Sequence, residues 1–215
     1  IMATAQSRVT DMTRGDPVRL LLNFSAPLFL SNLLQQFYNL ADTALAGHIL
    51  GDAALAQIGA TAALYGLIMN FAFGMNNGLA LTVSRLFGAG DDKGVRRATA
   101  WMLALAAATA AVLTVVFVGV RRPLLVLLQV PESTTEGALA YLTLILLGIP
   151  LTMAYNMEAA LLRAIGNSLT PLYFLLFSTV LNIGLDIAFM DPLRLGVGGA
   201  AAATVVAQGI SAVLC

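Results

Sequence analysis

Two carboxylates stand where hydrocarbon is expected. Asp42 lies in "FYNLADTALAGHILG" (Phe37 to Gly51) and Asp186 in "LNIGLDIAFM" (Leu181 to Met190), each inside a strongly apolar stretch. A carboxylate at the centre of a membrane helix costs about 2.5–3.5 kcal/mol even on a lenient insertion scale, so such acids usually face a cavity or a partner. Asp42 falls nearer the outer end of its stretch and costs less. Each acid has polar neighbours at helical spacing. Asn32, Gln35, Gln36 and Asn39 precede Asp42 so that all five fall on one stripe of a helix. Asn182 precedes Asp186 by one turn, and Thr204 precedes Gln208 by one turn, so each pair shares a face. Carboxylates, an amide oxygen and a hydroxyl are hard oxygen donors, suited to a hard cation or to an exchangeable proton. If the two acids share one pocket their titrations are coupled. The bland alternative for the amides is a polar seam that joins neighbouring helices.

These residues need elements to hold them, and the charges mark those elements. The chain is 59% hydrophobic and 10% charged, with mean hydropathy +0.87, against roughly a quarter charged residues in soluble domains. Uncharged gaps run over Leu20–Ala41, Ala53–Ser84, Ala98–Val120, Gly137–Met157, Ala164–Leu185 and Leu195–Cys215. A helix needs about 20 largely apolar residues to cross the hydrocarbon core, so six gaps predict six spans. The 32 residues of the second gap are too few for two spans and a turn, and predict one long helix projecting beyond the membrane. Runs such as "MLALAAATAAVLTVVFVGV" do not alternate as barrel strands must. The fold class expected is an all-α membrane protein, a six-transmembrane-helix bundle. Its spans fall at approximately 18–45, 53–85, 96–121, 135–158, 165–190 and 195–215, behind a cytoplasmic tail of residues 1–15.

Local signals refine the spans. Asp16 is expected to cap the first helix with Pro17 in its first turn, and Pro27 inside that span predicts a kink. The Ser and Thr residues of "QVPESTTEG" are expected to cap the fourth helix, and "GAGDDKG" is an inner loop. In "GVGGAAAATVVAQG" small residues let backbones approach closely, which brings Thr204 towards Asp186 on the preceding helix. With a polar leader before it, the first span is expected to act as an uncleaved anchor, and the ending "SAVLC", inside an apolar run, is expected to belong to a fragment of something longer.

Orientation follows from the basic residues. Arg8, Arg14, Arg19, Arg85, Lys93, Arg96, Arg97 and Arg163 fall on one side, against Arg121, Arg122 and Arg194 on the other. Both termini are therefore expected in the cytoplasm, with the Arg121–Arg122 pair running against the bias. A single Cys215 and a single His48 exclude a disulfide framework or a Cys/His metal cluster. Zero net charge points away from nucleic acid. His48 reads as an interfacial residue, Glu158 as a partner for a loop arginine, and Met69, Met75, Met153 and Met157 as packing rather than a soft substrate surface.

With acids and turns located, the chain resembles the multidrug and toxic compound extrusion (MATE) family of secondary antiporters, in a prokaryotic, DinF-like branch. The matching segments are "NLADTALAGHILGDAALAQIG", "RLFGAGDDKGVRRA", "RAIGNSLTPLYF", "NIGLDIAFM" and "GVGGAAAATVVAQG", in family order, over about Asp16 to Cys215. The resemblance implies the N-terminal lobe of a twelve-helix transporter in the prokaryotic inner membrane. It also implies a cation site, for H+ or Na+, at Asp42, Asn182, Asp186 and Thr204, these four being the ligands if the ion is sodium. Substrate contacts implied are Gln35, Tyr38, Asn39 and Asn156. The implied function is a cation-coupled antiporter exporting organic cations or drugs, with no enzymatic activity and no cofactor beyond the coupling ion. Its implied partners are membrane lipid, a small organic cation, and a missing C-terminal lobe or a second copy of the chain.

Three other functions compete. A lipid-linked flippase of the same superfamily would be expected to carry Lys or Arg in its cavity, and none lies in the six gaps. An intramembrane aspartyl protease needs a glycine–aspartate pattern, whereas Asp186 follows "NIGL". A purely structural six-helix subunit predicts that the acids do not titrate near neutral pH.

Overall fold

The computed structural model describes residues 16–214, so the expected tail (1–15) and Cys215 lie outside the described residues. Seven helices follow in order: α1 (Pro17–Leu50), α2 (Asp52–Gly88), α3 (Asp92–Leu127), α4 (Glu132–Leu147), α5 (Ile149–Ala164), α6 (Leu169–Met190) and α7 (Gly196–Leu214). Five are each long and apolar enough to cross a membrane. The pair α4 and α5, bent by 47° at its break, makes up to a sixth span. The second gap does form one helix, 37 residues long.

The local signals divide. Asp16 caps α1 by accepting from the Val18 N–H at 3.0 Å, and Pro17 takes the first turn, where its missing donor would have no partner anyway. α1 continues past Pro27, with the Ser31 hydroxyl donating to the Pro27 carbonyl at 2.8 Å. In the loop between α2 and α3 Asp91 accepts from the Gly94 N–H at 2.9 Å and caps α3. The cap expected for α4 is not made. Its N-cap position is held by Pro131, and the Thr134 and Thr135 hydroxyls turn back to donate to the Pro131 carbonyl, each at 3.0 Å.

The fourth span also departs from the continuous helix expected over 135–158. It breaks at Gly148, where "LLGIP" supplies both a residue without a side chain and, at Pro150, one without an N–H. The break admits α7, because a Cβ on Gly148 would sit 2.2 Å from Cγ2 of Val205.

Packing follows from side-chain size. α6 and α7 make the most extensive helix contact in the bundle, and α7 buries Ala200, Ala201, Ala203 and Ala207 completely. At Gly199 an added Cβ would come 3.1 Å from the Phe189 carbonyl oxygen. The larger core lies among α2 to α5, with Ile68, Val83, Met102, Leu142, Leu146 and Met153 sealed from solvent. Met153 and Met157 belong to this core and Met69 and Met75 pack against it, as packing methionines. The exterior is apolar: Val112, Val115 and Val116 of α3 are exposed, as are Phe29 and Phe37 of α1. Such a surface suits lipid and not water.

The Gly148–Val205 approach makes a test. Val205 is β-branched and stiff at χ1, so Gly148→Ala is expected to destabilise the lobe by about 1–3 kcal/mol through overpacking. Thermal melting in detergent should show the loss, and Val205→Ala in the same chain should restore most of it.

Candidate functional site

The site sits where α1, α6 and α7 converge, with α2, α4 and α5 closing it. Asp42 projects from α1 and Asp186 from α6, and the two carboxyl groups face each other at side-chain interaction range. Asp186 is fully buried and Asp42 half-buried. Neither oxygen of Asp186 has a hydrogen-bond partner, and Oδ1 of Asp42 has none. Asn182, also fully buried, donates from Nδ2 to the Thr204 hydroxyl oxygen at 3.5 Å and leaves its Oδ1 unpaired. The Thr204 hydroxyl in turn donates to the Ala200 carbonyl at 3.1 Å. The small residues of α7 thus bring Thr204 to Asn182, one turn before Asp186 on α6.

Three tyrosines surround the acids. Tyr38, one turn before Asp42 on α1, is buried beside Thr204 with its hydroxyl unpaired. Tyr65 of α2 lies beside Thr152 and within electrostatic reach of Asp42. Tyr141 of α4, buried, lies within reach of both acids. Below the acids a second polar link crosses the broken span, where the Thr152 hydroxyl of α5 donates to Oε1 of Gln208 on α7 at 2.5 Å. Tyr65, Tyr141 and Thr152 were not selected from the sequence. Tyr141 stands singly on an otherwise apolar helix face, whereas Tyr65 follows Thr61 by one turn and Thr152 precedes Asn156 by one turn. The signals available were those two repeats and, for Tyr141, an isolated hydroxyl in a membrane span.

The other candidate residues lie elsewhere. Asn39, Asn32 and Gln36 are exposed along α1, and Gln35 is half-buried, lining a shallow hollow of about 310 Å³ with Asn32 and Gln36. Asn156 is half-buried and spends its amide on the Thr152 carbonyl at 2.8 Å. His48 is exposed in the last turn of α1. Glu158 keeps Oε2 buried without a partner, and Arg163 does the same with Nη2, so the pairing expected for Glu158 is not formed at that oxygen.

Chemically the pocket lacks positive charge. Burying a charge without a partner costs several kcal/mol, and two carboxylates at close range add repulsion. Among the described residues no group of three or more His, Cys, Asp or Glu side chains converges, so the donor set is not one for a transition metal. The unpaired atoms are all oxygens, at Tyr38, Asp42, Asn182 and Asp186. That set fits a proton or a hard monovalent cation.

A polytopic helical bundle that encloses unpaired acids at a helix junction is a membrane protein with a functional site in its interior. The chain belongs to the MatE family, whose model matches residues 27–188. It is 33% identical over 208 residues to the probable multidrug resistance protein YpnP of Bacillus subtilis, covering 94% of this chain and 45% of that protein. It is 28% identical over 193 residues to DNA damage-inducible protein F of Escherichia coli, covering 87% of this chain and 41% of that one. A structure described as the outward-facing conformation of a multidrug resistance MATE family transporter superposes with TM-score 0.87 at 26% identity, over 93% of this chain and 44% of the other. The chain therefore spans a little under half the length of these relatives and corresponds to one lobe.

The Thr152–Gln208 link is measurable by a double-mutant cycle. Thr152→Val and Gln208→Leu are each expected to lower stability, with a coupling energy of about 0.5–1.5 kcal/mol between them. Additive losses in detergent melting would show that the two side chains act independently.

Proposed function

We propose that this chain is the N-terminal lobe of a cation-coupled multidrug exporter of a prokaryotic inner membrane, with both termini cytoplasmic. The observation that carries the reading is the facing pair Asp42 and Asp186, enclosed among unpaired oxygens with no basic side chain to neutralise them. A proton or a sodium ion, held by Asp42, Asn182, Asp186 and Thr204, would supply the missing charge. Neutralisation removes the repulsion between α1 and α6, and the helix packing relaxes to a different balance. An organic cation held in a cavity shared with a second lobe is then released, in exchange for the ion. The amide stripe of α1 leaves Asn39 exposed and Gln35 half-buried, on a side where a cavity wall would need them. Tyr38 and Asn156 join the substrate surface less directly, since one is buried at the acids and the other half-buried on α5. The names of the relatives, multidrug resistance proteins, agree with this cargo.

The test is Asp186→Asn in the full-length protein. Drug resistance of cells carrying it is expected to fall to that of cells without the transporter, at unchanged protein level. Retained resistance would show that the carboxylate does not couple transport.

A further inference from the structure

A second site lies on the lobe's flank, remote from the acids. The end of α3 and the start of α4 enclose an open groove of about 940 Å³. Its lining includes three exposed charges, Arg122 from α3 and Glu132 and Glu136 from α4, with exposed Val126 near the end of α3, and further along α4 it becomes mainly apolar, with Leu139 and Leu144. We propose that this groove binds one zwitterionic phospholipid with a primary ammonium head, the phosphate on Arg122, the ammonium on Glu132 and Glu136, and an acyl chain along α4.

Three observations favour that occupant. The charges are mixed, so neither a simple anion nor a lipophilic cation uses all of them, whereas a phosphate followed by an ammonium does. Their depths have the right order. Glu132 opens α4 at the bundle's end, while Arg122 lies about 7.5 Å below the end of α3 and Glu136 about 6 Å below the start of α4, at 1.5 Å per residue. Leu144 lies about 12 Å deeper than Glu136 on the same helix. From water inward the wall therefore reads carboxylate, guanidinium with carboxylate, then hydrocarbon, which is the sequence ammonium, phosphate, chain of such a lipid. Finally, Arg122 belongs to the one basic pair that runs against the charge bias of the loops. The Arg121 guanidinium donates to the Val118 carbonyl of its own helix. A phosphate ligand gives Arg122 a function there, and its planar fork suits that ligand better than lysine would.

Native mass spectrometry of the protein from mild detergent, offered equal amounts of phosphatidylethanolamine and phosphatidylcholine with identical chains, is the test. Retention of the ethanolamine lipid is expected to exceed that of the choline lipid on the order of tenfold, the worth of one charge-assisted contact. Arg122→Gln should lower retention of both lipids, and Glu132→Gln with Glu136→Gln should erase the preference between them. These side chains are exposed, so the variants keep the fold. Ala140→Trp, which fills the trough without touching a charge, should lower retention of both lipids while an unchanged melting temperature reports an intact bundle. Equal retention of the two lipids by the unaltered protein overturns the proposal. So does a preference that survives the glutamate changes, or displacement of the lipid by tetraphenylphosphonium, which would mark the groove as a cation site.

Discussion

The lobe is organised around one unsatisfied interaction. Two carboxyl groups from different helices face each other away from solvent, and three of their four oxygens have no hydrogen bond. Packing around them supplies shape without charge. The alanines of α7 seal one wall at full burial, and Tyr38 and Tyr141 close others with rings. Each such group excludes water and so raises the cost of leaving the acids ionised and alone. Replacement of the pair by hydrocarbon would give a simpler bundle, so the pocket makes physical sense as a place where something small and positive arrives and leaves.

Around this point the fold separates what must be rigid from what is interrupted. The core among α2 to α5 is filled with Ile, Leu, Val and Met in continuous contact. The fourth span breaks at Gly148, and the break is held from the opposite side by Val205 and, one turn on, by the Thr152–Gln208 hydrogen bond. α7 therefore touches the acid pocket through Thr204 and the broken span through its next turn. Any change in how α7 lies reaches both.

Much of this was legible in the residues because hydrocarbon punishes charge. The charged positions alone bracket the helices, and one-turn spacing placed Asn182 with Asp186 on a common buried face; the amides expected beside Asp42 do not follow it inward, and Asn32, Gln36 and Asn39 are exposed. What spacing does not encode is contact between helices. Tyr141 is a single polar residue on an apolar face, and the repeats Thr61–Tyr65 and Thr152–Asn156 do not say which helix they meet. The partner of Thr204 is Asn182 because of how close α7 comes to α6, a distance set by glycine and alanine and not by polar pattern. Gly148 was missed as a break because hydropathy runs through it without a dip; only the following Pro150 hinted at it. The Ser/Thr-rich turn before α4 failed as a cap because Pro131 already occupies that position, and its carbonyl takes both hydroxyls.

The junction between α1 and α2 is a single residue, Gly51, with φ +81°. Its N–H donates back to Gly47 at 2.9 Å and its carbonyl accepts forward from Ala54 at 3.1 Å, so the corner is pinned on both arms. From that corner α1 runs back with α6, more than α2, as its packing partner, and Asp42 sits only about 13 Å along it. The carboxylate thus stands close to the point where the first span turns into the second. Whatever it binds is felt about two and a half turns from a corner that joins two long helices through one glycine.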